Sequence, residues 1–169
     1  MAGESRVFHF VSTWVAPAPA EAVWRVLAEV EAWPDWWSGI ESVRSSAPST
    51  DAEPQAAQVV VRSPLGYRLR FTLELTRSEP PRRSTFGVRG QLRGSGFWAA
   101  DPADSAAASD ATDGAPVTRM RIGWCVVSDR RLVRLLAPLA RWAHGRIMAA
   151  GSAGLARRLR EQPPAGLSR

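Results

Sequence analysis

Strict alternation of apolar and polar residues in three segments constrains the fold of this chain more than any other feature. The segments are residues 67–76, 83–93 and 117–127. Alternation with a period of two places every second side chain on the same face of a β-strand. The residues on the apolar face are Tyr67, Leu69, Phe71, Leu73 and Leu75 in the first segment, Phe86, Val88, Gly90 and Leu92 in the second, and Met120, Ile122, Trp124 and Val126 in the third. The pattern predicts a sheet that is covered on one side and wet on the other.

Four further segments complete the predicted sheet. Residues 6–15, 40–44, 57–62 and 94–100 are rich in β-branched and aromatic residues, and polar or glycine- and proline-containing turns separate most of them. One helical region follows the first strand, and no helix separates the remaining six, so we expect seven antiparallel strands.

Two helical regions are predicted. The first begins at Pro19, because proline suits the first turn of a helix, and Pro34 should end or kink it near Trp33. The second occupies the C-terminal third, where Pro138 either kinks it or starts it after a short helix at 131–136. Its apolar stripe comprises Leu132, Leu136, Leu139, Ala143, Ile147, Ala150 and Gly154.

This order of elements predicts an α+β fold. A curved seven-stranded antiparallel sheet should wrap around the long C-terminal helix, with two short helices after the first strand. One helix cannot fill a concave sheet of that width, so a cavity should remain between them. The length of 169 residues fits a single domain, 1–169, with a core at about 6–160 and a flexible loop at 101–116.

The composition argues against several classes of protein. The net charge is +6, yet all 22 basic residues are arginines scattered over many elements, and the chain is rich in alanine, glycine and proline. Such usage is typical of a GC-rich coding background, so the high pI does not indicate a nucleic-acid partner. Cys125 is the single cysteine and His9 and His144 are the two histidines, which leaves no zinc ligand cluster; no metal and no cofactor are predicted.

Membrane insertion is not predicted either. Residues 1–7 lack an apolar signal region, and the longest apolar stretch, 132–150, is interrupted by Arg134, Arg141 and Arg146. We therefore expect a cytoplasmic protein without stable membrane insertion, with a homodimer possible.

Eight tryptophans are an unusual number for this length, and three of them stand together in Trp33-Pro34-Asp35-Trp36-Trp37. Tryptophan is difficult to pack into a small core, so this density favours a hollow lined by rings. The three indoles after the first helix have two interpretations. They gate the entrance for a ligand, or they plug the wide end of the sheet.

Several segments carry a resemblance to a known family. They are Ala16-Pro-Ala-Pro-Ala-Glu-Ala-Val-Trp24, the Trp33–Trp37 turn, Gly94-Ser-Gly-Phe-Trp98, Val117-Thr118 leading to Trp124, and Leu135–Leu139 through Met148 and Gly154-Leu155. On these residues the chain resembles the helix-grip (SRPBCC) superfamily of START-related domains, birch-pollen-allergen-like proteins and polyketide cyclases, and most of all the bacterial polyketide cyclase/dehydrase type. The resemblance implies a hydrophobic ligand, and catalysis in some members. Related bacterial sequences often carry an acidic or amide residue after the histidine of the last helix, whereas here Gly145 follows His144.

The predicted ligand contacts come from three regions. They are Trp24, Leu27, Trp33, Trp36 and Trp37 around the first helix; Tyr67, Leu69, Phe71, Phe86, Val88, Trp98, Met120, Ile122 and Trp124 on the sheet; and Leu136, Leu139, Ala143 and Ile147 on the last helix. Tyr67 is the candidate polar contact, since its hydroxyl could orient a carbonyl or phenol. His144 lies near the cavity-facing stripe and is the candidate general acid or base.

Two functions are consistent with these residues. The sequence contains no phosphate-binding glycine loop, no serine elbow and no paired carboxylates on the inner face, which favours binding or transport of a lipid, aromatic or polyketide-like molecule. The alternative is a polyketide cyclase, aromatase or dehydrase. Such an enzyme would fold a reactive chain into one conformer, with Tyr67 or His144 assisting proton transfer.

Overall fold

Seven strands form one antiparallel sheet in the order β1-β7-β6-β5-β4-β3-β2, so β1 and β2 are its edges. The computed structural model describes residues 7–46, 55–102, 116–128 and 137–161. The elements are β1 (Val7–Ala16), α1 (Ala20–Ala28), a 3-10 turn (Val30–Ala32), α2 (Trp33–Trp36), β2 (Ile40–Ser46), β3 (Ala56–Arg62), β4 (Arg68–Glu79), β5 (Arg83–Gly90), β6 (Leu92–Pro102), β7 (Thr118–Ser128) and α3 (Ala137–Glu161). The predicted fold class is confirmed.

The register of the sheet brings the predicted inner residues together. Phe71 of β4 lies opposite Val59 of β3 and Gly90 of β5. Trp124 of β7 lies opposite Phe10 of β1. These pairs place the apolar rows of neighbouring strands on the same concave face, so they form one continuous inner surface.

The outer face of β4 and β5 is polar, as the alternation predicts, whereas Val7, Val11 and Val15 of the edge strand β1 are exposed. Arg89 pairs with Glu74 across β4 and β5 at 3.1 Å, and Arg68 pairs with Glu41 at 2.6 Å. Both arginine side chains are exposed, so these pairs contribute little to the free energy of unfolding. The charged side chains therefore serve mainly to keep this part of the outer face hydrated.

The predicted break at Pro34 is wrong in position. Helix α1 already ends at Ala28, because Glu29 leaves the helical region with ψ of 66°. Pro34 instead lies in the first turn of α2, where its missing N–H has no partner to lose. The chain therefore turns twice between α1 and β2, and this second turn carries the tryptophans.

Helix α3 packs closely on that turn. A Cβ at Gly154 would overlap the backbone carbonyl of Trp36, and a Cβ at Gly151 would overlap the rings of Trp37 and Trp14. Nε1 of Trp37 donates a hydrogen bond of 2.8 Å to the carbonyl of Ile147. The two glycines thus allow the aromatic turn to lie against the helix, and the hydrogen bond fixes its position.

Several predictions fall outside the described residues. They concern residues 103–115 of the predicted flexible loop, the proposed short helix at 131–136, and Leu136. Pro138 lies in the first turn of the described part of α3.

Candidate ligand-binding site

A cavity of about 130 Å³ lies between the inner face of the sheet and α3, and we call it the helix cavity. Its described walls are Phe8, Phe10, Trp33, Trp37, Ile40, Val59, Val61, Ser63, Tyr67, Leu69, Phe71, Leu73, Leu92, Trp124, Val126, Ala140, Ala143, His144, Ile147 and Met148. An apolar cavity of about 150 Å³ in a protein core accepts one benzene ring. The helix cavity is therefore close to the size of a six-membered ring.

A second cavity of about 240 Å³ lies between the sheet and α1, and we call it the tryptophan cavity. Its described walls are Trp24, Leu27, Ala28, Val30, Trp33, Trp37, Gln55, Ala56, Ala57, Leu73, Leu75, Ser84, Phe86, Trp98, Ile122 and Trp124. The rings of Trp24 and Trp98 contact each other at 4.8 Å between centroids and cover part of this space.

The two cavities share a wall made of Trp33, Trp37, Leu73 and Trp124. Trp37 is held by its hydrogen bond to α3, and Nε1 of Trp33 donates to the carbonyl of Leu27 at 3.1 Å. Because both indoles are anchored at one end, the wall has a defined position. A molecule longer than one ring would have to pass these side chains to occupy both spaces.

The walls carry almost no charge. Among the described residues that line the two cavities, none is Arg, Asp or Glu. The polar side chains are Ser63, Tyr67 and His144 in the helix cavity, and Gln55 and Ser84 in the tryptophan cavity. Every arginine in the described ranges is exposed except Arg158, which is half-buried and lines neither cavity. The charged side chains of the described ranges therefore lie outside both cavities.

His144 is the titratable imidazole of the helix cavity. Its ring stacks on Phe10 with centroids 4.1 Å apart and planes inclined by 18°. Burial in these apolar surroundings lowers the pKa of His144 from 6.5 to about 4, because the charged form loses its hydration. His144 is therefore neutral at pH 7.

Two buried nitrogen atoms of the helix-cavity walls lack a hydrogen-bond partner among the described residues, namely Nε2 of His144 and Nε1 of Trp124. Nε1 of Trp14 and of Trp36 are also buried and unpartnered. The latter two residues belong to the packed aromatic turn and line neither cavity. A buried polar atom without a partner is costly, so these two nitrogen atoms of the cavity walls have hydrogen-bonding capacity that the described residues leave unused.

The structure brings many of the predicted contacts together. The helix cavity contains Trp33, Trp37, Tyr67, Leu69, Phe71, Trp124, Ala143, His144 and Ile147, and the tryptophan cavity contains Trp24, Leu27, Trp33, Trp37, Phe86, Trp98, Ile122 and Trp124. Tyr67 and His144, the two candidate polar residues, line the same cavity. Their assignment as ligand contacts stays a prediction.

Four predicted contacts are placed elsewhere. Trp36, Val88 and Met120 are buried, at 4%, 3% and 0% exposure, but line neither cavity. Close packing of neighbouring side chains fills the space that a ligand would need there. Leu139 is 37% exposed and faces away from the sheet, because α3 turns Ala140, Ala143 and His144 inward instead.

Two groups of wall residues were not predicted from the sequence although their pattern was visible. Phe8 and Phe10 alternate along β1, and Val59 and Val61 alternate along β3. The same period of two that identified the other strands would have placed these four residues on the inner face. Ala140 had no comparable signal, since alanine is as common on exposed helix faces as on buried ones. Leu73, Leu75, Leu92 and Val126 were predicted on the inner face but not among the ligand contacts. The remaining missed wall residues are Ile40, Ser63 and Met148 in the helix cavity, and Ala28, Val30, Gln55, Ala56, Ala57 and Ser84 in the tryptophan cavity.

Neither a metal-ligand cluster nor a membrane-spanning helix is found in the described part of the chain. No three His, Cys, Asp or Glu side chains in these ranges lie together as metal ligands would. None of the described helices combines the length and the apolar character that crossing a bilayer requires.

A curved antiparallel sheet closed by a long helix over an apolar cavity defines a helix-grip domain of the START and polyketide cyclase class. The chain belongs to the family described as polyketide cyclase/dehydrase and lipid transport, whose sequence pattern matches residues 7–160. No curated protein sequence matches the chain significantly.

Solved structures show the same fold at low sequence identity. The aromatase/cyclase ZhuI from Streptomyces sp. R1128 is similar with a TM-score of 0.73 and 18% identity, over 96% of this chain and 100% of that one. A START superfamily protein from Mycobacterium smegmatis gives a TM-score of 0.70 and 14% identity, over 90% and 97%. The di-domain aromatase/cyclase BexL, from the BE-7585A biosynthetic pathway, gives 0.66 and 15%, over 93% of this chain and 51% of that one.

Proposed function

We propose that this protein binds a hydrophobic small molecule in the helix cavity and the adjoining tryptophan cavity, as a carrier or sensor, without changing it chemically. The observation that carries the proposal is the make-up of the walls, which are apolar and aromatic with a few polar atoms. Ligand sites for small apolar molecules have this composition.

The chemistry of His144 favours binding over catalysis. A general acid or base works best with a pKa near the working pH, whereas the pKa of His144 is about 4. No carboxylate among the described cavity walls orients its ring. Both features suit a neutral hydrogen-bonding group better than a proton shuttle.

The alternative is a polyketide cyclase, aromatase or dehydrase, which the family description and the two aromatase/cyclase structures favour. Their identities of 18% and 15% support the shared fold but not a shared reaction. If the protein is such an enzyme, binding energy would fold a reactive chain into one conformer, and Tyr67 or His144 would assist proton transfer.

A ligand screen tests the binding proposal. Thermal unfolding would be followed with fatty acids, flavonoids and aromatic polyketides, and mass spectrometry would identify any small molecule that co-purifies. At a hundredfold excess over its dissociation constant, a ligand should raise the free energy of unfolding by about 3 kcal/mol. No stabilisation by any apolar compound would refute the proposal.

Turnover separates the carrier from the enzyme. Product formation from a reactive poly-β-ketone would be compared with and without protein, and with His144→Ala and Tyr67→Phe. A carrier should show no turnover, and each change should alter affinity by no more than about 1 kcal/mol, the net value of one hydrogen bond. A wild type that redirects cyclisation, with variants about a hundredfold slower at nearly unchanged affinity, would establish the enzyme.

The remaining predictions about the surroundings of the protein stay proposals. We infer a cytoplasmic location and a possible homodimer from the sequence alone. Light scattering on the eluted protein tests the dimer, and fractionation of cells expressing it tests the location.

A further inference from the structure

We infer that the helix cavity selects an uncharged ligand carrying a carbonyl or hydroxyl oxygen, and that Nε1 of Trp124 donates a hydrogen bond to this oxygen. The inference rests on the proposed binding function and narrows it to one class of ligand. It makes Trp124 a specificity-determining residue, a role that the apolar character of the walls alone would not give it.

The indole of Trp124 differs from the other two indoles of the shared wall in having no acceptor among the described residues. Its Nε1 is buried and has no hydrogen-bond partner among the described residues. Trp33 and Trp37, which share the wall with Trp124, have both found backbone acceptors. An indole nitrogen can only donate, so the group that satisfies it must be an acceptor, and oxygen is the usual one in a small organic molecule.

The imidazole of His144 offers a second bonding atom in the same cavity. Its Nε2 is buried without a partner among the described residues. A neutral imidazole nitrogen accepts or donates according to its tautomer. A ligand hydroxyl could accept from Trp124 and donate to His144, while a carbonyl could accept from both. A cavity with two such atoms suits a ligand with a polar end and an apolar body.

The distribution of charged side chains narrows the class of ligand further. The positive charge of the chain would suggest an anionic ligand such as a fatty acid, but no arginine of the described ranges lines the helix cavity or the tryptophan cavity. His144 provides no compensating charge at neutral pH, since the pKa of its ring is about 4. Burying a carboxylate without a positive partner is strongly unfavourable. The cavity should therefore exclude free acids that carry the same apolar body.

Three single-ring compounds test this selection because they match the size of the helix cavity. Acetophenone carries a carbonyl, isopropylbenzene replaces the acetyl group with an apolar group of the same number of heavy atoms, and benzoate carries a negative charge. Affinities would be measured by NMR titration at pH 7.5 with the full chain. Benzoate should bind at least about a hundredfold more weakly than acetophenone, which corresponds to about 2.7 kcal/mol.

The variant Trp124→Phe isolates the hydrogen bond. This variant should weaken the affinity for acetophenone by about fivefold to tenfold, which corresponds to the net value of one hydrogen bond. It should change the affinity for isopropylbenzene by less than about twofold. Trp142→Phe is the matched control, because Trp142 is 51% exposed and lines neither of the two cavities. It should leave all three affinities unchanged within about twofold.

A second readout in the wild type does not depend on the folding of a variant. Acetophenone should shift the indole N–H resonance of Trp124 downfield. Isopropylbenzene should not shift it. If benzoate binds as well as acetophenone, or no indole N–H responds to the carbonyl, the inference is wrong while the binding proposal survives. If neither acetophenone nor isopropylbenzene binds, both the inference and the binding of a single-ring ligand in the helix cavity are overturned.

Discussion

The first half of α3, residues 137–148, faces a cavity, whereas the second half, residues 149–161, is packed against aromatic rings. Ala140, Ala143 and His144 line the helix cavity. Gly151 and Gly154 lie directly against Trp37 and Trp36. Small residues occur in both halves, so their effect depends on the opposing surface. Small residues allow close contact where they face bulky rings. They leave a space where they face the concave sheet.

This contrast makes stability and ligand binding separable on one helix. The second half should tolerate no added volume, because ring and backbone atoms already occupy the space. The first half should accept added volume at the expense of the ligand. Four substitutions or conditions along α3 test this separation, taken in order of their expected effect on the free energy of unfolding.

Gly154→Val should have the largest effect. The new Cβ would overlap the carbonyl of Trp36, so the helix or the α2 turn must move. We expect a loss of about 3 kcal/mol in the free energy of unfolding, at the upper end of the usual cost of overpacking. Urea denaturation measures it. Retention of wild-type stability would show that α2 is not packed on α3 as described.

Acidification should have the next largest effect, through His144. The pKa of this ring is about 4 in the folded protein against an ordinary value of 6.5, so its full contribution to stability is present above pH 6.5 and is lost as the pH falls toward 4. Between pH 7.5 and 5 the wild type should lose about 2 kcal/mol more than His144→Phe, and urea denaturation at each pH measures the difference.

The matched variant removes other titrations from this comparison. Glu31 and Glu41, whose pKa values are lowered by hydrogen bonds to Ser45 and Arg68, are present in both proteins, and their effects cancel. Equal pH profiles for wild type and His144→Phe would mean that His144 is not buried in the neutral form.

Ala143→Leu should change stability little and binding strongly. Ala143 is 3% exposed and lines the helix cavity, so a leucine can extend into existing space. The free energy of unfolding should change by less than about 1 kcal/mol. Affinity for any ligand of the helix cavity should fall at least about tenfold in a calorimetric titration. Undiminished binding would place the ligand elsewhere.

Gly145→Ala should have the smallest effect and the opposite sign. Gly145 is exposed, and its added Cβ would meet nothing within 4 Å. Replacing glycine inside a helix by alanine stabilises by about 0.5–1 kcal/mol. This variant is also the control for Gly154→Val on the same helix. Destabilisation here would indicate that α3 is irregular near His144.

The strands could be predicted because a half-buried strand repeats every two residues, as Tyr67, Leu69 and Phe71 show. The inward face of α3 could not be predicted in the same way. Its alanines and glycines weaken the periodicity, and the rotation of the helix is set by contacts with Trp36 and Trp37, which are distant in sequence. The sequence pattern therefore predicts Leu139 on the inward face, although its side chain is 37% exposed. The division into two cavities was equally inaccessible, since it depends on where two indole nitrogens find backbone acceptors.

A crystal structure of the protein with 4-bromoacetophenone would show directly whether the first half of α3 borders a ligand site, because anomalous scattering locates the bromine. We expect the ring in the helix cavity, between the sheet and the first half of α3. We also expect the ketone oxygen within about 2.7–3.2 Å of Nε1 of Trp124. A compound found only on the protein surface at saturating concentration, with side chains filling the helix cavity, would contradict both expectations.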